Sequence, residues 1–188
     1  MKPGFVERRE SEYEHHGTQC LIANFHIGTG KIIAPSIGFT RSEEYFLNHI
    51  VQTVDTSPGG EGVFIVDQLN KHKSESLVKF VITQCHIKID QKTLGIKVKS
   101  GVLNSMVTRK AFLEDQGHRI RFVYTHKHTS WLNQVEICFS ILVRKLLKRV
   151  SFMFVEDLRQ RILNFIDYFN ATMAKIFKWT YTGSPLTA

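Results

Sequence analysis

Val63-Phe64-Ile65-Val66-Asp67 is a run of four apolar residues, three of them β-branched, ended by a carboxylate. A short continuous run of this kind predicts a strand covered on both faces. Asp67 then falls just beyond the carboxyl end of that strand, where ligands collect in open α/β sheets. An Asp in this position equally suits the start of a turn or a helix cap, so two readings stand side by side here.

Upstream, Pro58-Gly59-Gly60 breaks the chain after a helical pattern. Thr40-Arg41-Ser42-Glu43 fits a capping box, and Tyr45, Phe46, His49, Ile50 and Val54 follow at helical spacing. Before it, Gly17–Ile27 and the residues from Ile32 onward read as a β-hairpin turning at Gly28-Thr29-Gly30-Lys31. Downstream, Ser74–Cys85 has Leu77, Val78, Val81 and Ile82 on one side of a helix. Residues 86–117 carry little pattern beyond a short helix ending at Asp115. Arg119–Tyr124 alternates as a half-buried strand, Ser130–Arg149 reads as a long helix, and Val155–Phe169 as a last one. The order predicts a mixed α/β domain. We divide the chain into an extended lead-in (1–16), a core (17–150), and a C-terminal helix and tail packed on that core (151–188).

The 188 residues suit one domain with a core of ordinary size. A hydrophobic fraction of 43% with 14 Phe argues against a disordered chain. Three scattered cysteines, Cys20, Cys85 and Cys138, make neither a disulfide framework nor a zinc ribbon. No apolar run reaches the ~18 residues of a membrane span, and Met1–Phe5 opens no signal peptide, so a soluble cytoplasmic protein is expected. Lys and Arg outnumber Asp and Glu by 25 to 17, a net charge of +8. That surplus favours a polyanionic partner, nucleic acid first.

Glu136 is the second notable carboxylate. Leu132, Val135, Phe139, Leu142, Val143 and Leu146 form one stripe of the 130–149 helix, and Glu136 lies at its edge. A carboxylate against a core is costly unless paired or holding a metal; the alternative is a solvent-facing Glu on a helix that is apolar nearly all round. Asp67 and Glu136 together, on a basic protein, suit Mg²⁺ (or Mn²⁺) and phosphodiester chemistry. Arg144, Lys145, Lys148 and Arg149 continue the same helix and are candidates for DNA backbone contact, or a solvated face. His126-x-His128 lacks a third ligand at zinc spacing, and Trp131 suits a core anchor better than base stacking.

The segment His126-Lys127-His128-Thr129-Ser130-Trp131-Leu132-Asn133-Gln134-Val135-Glu136 resembles the third-acid signature of the DDE transposases of bacterial insertion sequences, in the mariner-like superfamily. Val63–Ser74 resembles the second-acid block. Tyr13, His16-Gly17-Thr18, Trp179–Gly183 and Pro185-Leu186 extend the likeness over almost the whole chain. The resemblance implies a ribonuclease H-like mixed sheet flanked by helices, with two Mg²⁺ ions held by three acids. Those ions serve DNA cleavage and strand transfer at transposon ends. Asp67 would be the second acid and Glu136 the third, both catalytic and metal-binding, with Asn70, Asn133 and His72 as candidate site support, His72 suiting an exposed surface position equally well. DNA, another copy, or a full-length transposase would be the partners, and the protein would associate with the nucleoid.

The departures are as informative. The family's first Asp ends a central strand upstream of the segment matching Arg8–Tyr13, and no Asp here precedes Asp55, itself in a turn. The helix-turn-helix that reads transposon ends has no counterpart either. An amino-terminally truncated transposase is therefore expected, lacking the first central strand and inactive as an isolated chain; the alternative is a non-catalytic DNA-binding or regulatory fragment. Unpaired strand edges would make it poorly soluble or prone to associate. Cys138 and Val150 replace an aromatic and a helix-ending Gly of the family pattern.

Overall fold

In the computed structural model, residues 17–126, 134–148 and 150–176 are described. Strands β1 (Cys20–His26) and β2 (Lys31–Gly38) pair antiparallel, as the hairpin pattern requires. The turn lies one residue earlier than the sequence suggests. Gly30 sits there at φ +69°, and a Cβ on it would collide with the Lys175 carbonyl, so only glycine serves. The register slips between Ile22 and Asn24, opposite Ala34 (φ 45°) and Pro35. An irregularity is where a proline is tolerated inside a strand pair.

Helix α1 (Glu43–Asp55) starts at Ser42, whose hydroxyl accepts from the Tyr45 amide at 3.1 Å. The cap is thus Ser42 and not Thr40, two residues later than the capping-box reading places it. Phe46, His49, Ile50, Thr53 and Val54 form its buried face. β3 (Gly62–Val66) and β4 (Ile120–Tyr124) pair in parallel, Val66 opposite Tyr124. Between them lie a 3₁₀ turn (Asn70–Lys73), α2 (Glu75–Gln84), the short α3 (Gln91–Leu94) and α4 (Met106–Leu113). Ser74 caps α2 and Ser105 caps α4. α5 (Val135–Leu142) runs into a π-helical turn (Val143–Leu147), and α6 (Val155–Thr172) follows. The first residues of the expected 130–149 helix lie outside the described residues.

Two cores result. Leu77, Val78, Val81, Leu113, Ile120 and Phe122, all fully buried, join Phe46, Ile50 and Val66, with Ile22 of β1 packed alongside. On the other face of the hairpin, Ile32 packs with Cys138, Leu142, Ile162, Ile166 and Phe169, against Leu21, Ala23 and Phe25. β1 therefore alternates, Ile22 and Asn24 toward α1, Leu21, Ala23 and Phe25 toward α5 and α6. Asn170 of α6 holds both backbone groups of Ile32: the Ile32 amide donates to Oδ1 and Nδ2 donates to the Ile32 carbonyl, each at 2.8 Å.

The molecule is a mixed α/β structure of small sheets and helices, compatible with a ribonuclease H-like domain. Among the described residues the strands form two separate two-stranded sheets and not one continuous sheet. β3 is also not covered on both faces. Val63 and Ile65 are 49% and 42% exposed, while Phe64 and Val66 face the core. No helix among the described residues is long and apolar enough to cross a membrane.

Candidate active site

A cleft of about 760 Å³ opens between the two sheets. Its sides are every residue of β1 with Ile27 and Gly28 of the following turn, and every residue from Gly62 to Asp67. α1 forms its floor, through Phe46, His49, Ile50 and Thr53; Gln134, Val135, Glu136 and Phe139 close it from the α5 side.

Asp67 ends β3 at one end of this cleft. Its Oδ1 accepts from the Leu69 amide at 3.1 Å, so the turn reading is correct locally. The same oxygen lies 2.7 Å from Nδ1 of His72, whose side chain is only 10% exposed against 39% for Asp67. Burial works to raise the Asp67 pKa. The His72 hydrogen bond, the Leu69 amide and the electrostatic pull of His72 and Lys71 outweigh it, holding the carboxyl below its usual value. His72 stacks on Phe46 with ring centroids 4.1 Å apart.

The loop carrying Asp67 is tied down on three sides. Gln68 Nε2 donates to the Thr125 carbonyl (2.6 Å) and Lys73 Nζ to Gln68 Oε1 (2.7 Å). The Tyr124 hydroxyl donates to the His72 carbonyl (2.6 Å). Buried Arg109 donates to the Lys73 and Leu103 carbonyls. The carboxylate thus sits on a framework fixed by β4 and α4, which favours a binding group over a mobile surface acid.

Glu136 lies in the first turn of α5 and lines the same cleft. It is exposed, so it is not pressed against the core as the apolar stripe suggests. Cys138 and Leu142 take the buried positions instead, because α5 packs on the hairpin through that side. Asp67 and Glu136, 69 positions apart in the sequence, therefore share one cleft. Asn70 is exposed on the 3₁₀ turn and is not in the cleft lining. Asn133 and Arg149 lie outside the described residues. Arg144, Lys145 and Lys148 are exposed and form no ion pair among the described residues.

Three polar groups of the cleft carry no warning in the sequence pattern: Arg41, Lys71 and the His49–Asn24 pair. Arg41 and Lys71 sit in short polar segments without periodicity. His49 is legible only as a helix-face residue, yet its Nε2 lies 2.8 Å from Asn24 Nδ2 and its Nδ1 2.8 Å from Ser36 Oγ. Burial pushes its pKa down to about 4.

Does a divalent cation fit? No cluster of three or more His, Cys, Asp or Glu ligands occurs among the described residues. Both Asp67 contacts fall on Oδ1, leaving Oδ2 for a ligand, and Glu136 is open. One or two carboxylates plus water and phosphate oxygens suffice for Mg²⁺, so the donors suit a hard cation, held in part by its substrate.

A sequence profile of the DDE superfamily endonucleases matches residues 1–159. The chain belongs to that family, a transposase-like class of nucleases that acts on DNA with divalent metals. No curated protein and no solved structure matches it.

Proposed function

We propose that the chain is the catalytic-core region of a bacterial insertion-sequence transposase of mariner-like type, acting on transposon-end and target DNA. The observation that supports this is that Asp67 and Glu136, the residues of the two acidic motifs, both line one cleft of a DDE-family chain. Asp67 and Glu136 would hold Mg²⁺ or Mn²⁺, which when bound supplies Lewis-acid activation of water and phosphate. His72 orients the Asp67 carboxylate; Arg41 and Lys71 attract the phosphate backbone to the acidic end of the cleft, and Lys145 and Lys148 extend the basic surface.

The family's first acid has no counterpart at this end of the cleft among the described residues. Glu61 lines it too, but just before β3, about 20 Å of extended chain from Asp67. We therefore read the isolated chain as lacking the first central strand and impaired in cleavage. The absence of a three-donor cluster among the described residues favours, as second reading, a DNA-binding or regulatory fragment that associates with full-length transposase. Incubation with a transposon-end duplex and Mn²⁺ separates them. Slow nicking, lost in both Asp67→Asn and Glu136→Gln, supports the enzyme. Retention of DNA without nicking supports the fragment. Titration with Mn²⁺ alone, weakened in both variants, tests the metal reading independently of turnover.

A further inference from the structure

Residues 91–113 hold Lys92, Lys97, Lys99, Arg109 and Lys110 and not one Asp or Glu. In a chain with 17 acids among 188 residues, that stretch is a local concentration of positive charge. Arg109 is buried on backbone carbonyls, and Lys110 faces Glu114 and the Tyr124 ring. Lys92, Lys97 and Lys99 are exposed and enter no ion pair among the described residues.

Lys97 and Lys99 flank the tip of a tight loop. Ile96 and Ser100 exchange backbone hydrogen bonds across it, and the Val98 amide donates to the Asn104 carbonyl at 3.1 Å. The Val102 and Leu103 amides return to Thr93 and Leu94. Gly95 and Gly101, at φ +73° and +65°, let the two limbs touch, since a Cβ on either would strike a backbone carbonyl. With its amides committed internally, the loop is a fixed knuckle. Its tip is Val98, at φ 66° and 77% exposed. Left-handed backbone is strained for a β-branched residue, and a valine left in solvent returns nothing for that strain inside the molecule. Strain held in this way points to a contact outside it. Ile96 beside the tip and Val107 in the adjoining first turn of α4 are exposed too, at 61% and 76%. The knuckle is therefore apolar at its crown and cationic on both shoulders.

It is anchored to the turn behind Asp67. Arg109 joins the Leu103 carbonyl, at the loop's exit, to the Lys73 carbonyl, where that turn ends. The Lys79 hydrogen bond first, and then the charges of Lys79, Lys97 and Arg109, hold the Glu75 carboxyl below its usual value against slight burial. Lys97 thus stands near the start of α2, which follows directly on the turn. A polymer laid across Asp67 comes within reach of this loop.

We infer that Val98 is a minor-groove probe for duplex DNA: its side chain enters the groove while Lys97 and Lys99 hold the phosphates on either side. A minor groove about 6 Å wide admits one small apolar side chain, and apolar tips with adjoining cations are a recurrent way of engaging it. An acid-free stretch complements a polyanion. An anionic membrane would also attract lysines, but one valine-tipped loop offers far less apolar area than an interfacial helix face. The inference rests on the DNA reading above for the identity of the polymer and adds the element that positions the duplex.

The test is binding of the full chain to an A·T-rich duplex of about 30 base pairs in EDTA, so that no cleavage intervenes. Lys97→Ala with Lys99→Ala should lower affinity about tenfold and the slope of log affinity against log salt by about 2. Val98→Gly and Val98→Asn both suit a positive φ, so their thermal midpoints should equal or exceed the parent's. Both should nonetheless bind about fivefold more weakly with the salt slope unchanged, while Val98→Ile binds as the parent does. Netropsin, which fills the A·T minor groove, should displace the parent chain and have less effect on Val98→Asn. The proposal is overturned by Val98→Asn binding as tightly as the parent, by a salt slope unaltered in the double lysine variant, or by parent binding indifferent to netropsin. It is overturned too if these variants lose binding to phosphatidylglycerol vesicles and keep binding to DNA. Mn²⁺-dependent nicking lost in Asp67→Asn, with duplex affinity untouched by the loop variants, would keep the nuclease reading and remove this one. Loop-dependent binding without nicking would do the reverse.

Discussion

Nδ1 of His72 stands 2.7 Å from Oδ1 of Asp67, with the ring itself packed on Phe46. The imidazole therefore holds the carboxylate through Oδ1 from the buried side. Replacing His72 by Ala should weaken Mn²⁺ binding by about 10- to 100-fold, the usual effect of losing a ligand's outer partner. His72→Gln, which keeps a donor, should recover part of it. The Asp67 pKa is depressed, so its contribution to stability is present above the unfolded value and lost as pH falls through the folded one. Carboxyl carbon NMR should show Asp67 titrating lower than an ordinary Asp, and higher in His72→Ala. An unchanged midpoint would remove the positioning role.

His49 gives the opposite kind of group with the same direction of pH effect. Its folded pKa of about 4 lies below the ordinary 6.5, so between those values the unfolded chain binds more protons. Stability rises with pH across this window, by up to about 3 kcal/mol for a shift of this size. Urea unfolding at pH 4.5 and pH 7.5 measures it. In His49→Asn most of that difference should vanish even though the variant is less stable overall.

Asn170→Ala removes two hydrogen bonds to Ile32 and bares a stretch of strand edge. A loss of about 1–3 kcal/mol is expected from the unsatisfied backbone groups. Asn170→Asp should lose the Nδ2 bond alone and also repel the Ile32 carbonyl, so it too is destabilised. Thermal unfolding of the two variants against the parent chain checks both.

Gly30→Ala should cost at least about 2 kcal/mol, because it adds overpacking to positive φ. Gly59→Ala, where a Cβ would meet nothing within 4 Å, is the control and should stay within about 0.5 kcal/mol.

Lys145→Ala with Lys148→Ala should weaken binding to any duplex of equal length and reduce the slope of log affinity against log salt by about 2. An unchanged slope would mean that this exposed basic stretch faces solvent and not phosphate.

Much of this architecture is readable from residue pattern because it is local. The spacing of Phe46, His49, Ile50 and Val54 sets α1, and Leu158, Ile162, Phe165, Ile166 and Phe169 set α6; all face a core. Residues 86–117 resist reading because tertiary contacts replace periodicity. The backbone there folds back on itself, Val102 to Thr93 and Leu103 to Leu94, with Val98 exposed at positive φ. β3 is misjudged for a related reason: its composition suits two covered faces, yet Val63 and Ile65 border the cleft. The cleft acids are legible through motif resemblance. Their basic neighbours Arg41 and Lys71 are not, since a single cation in a polar loop looks like any other.

Arg109 grips the Lys73 carbonyl from α4, 36 positions along the chain, and the Leu103 carbonyl with it. That guanidinium couples the least patterned region of the polypeptide to the turn behind Asp67. A genetic screen scoring lost activity would accordingly return lesions around Leu103 and Arg109, far from any reacting atom. They would masquerade as chemical defects, although what had failed was the anchorage of a loop.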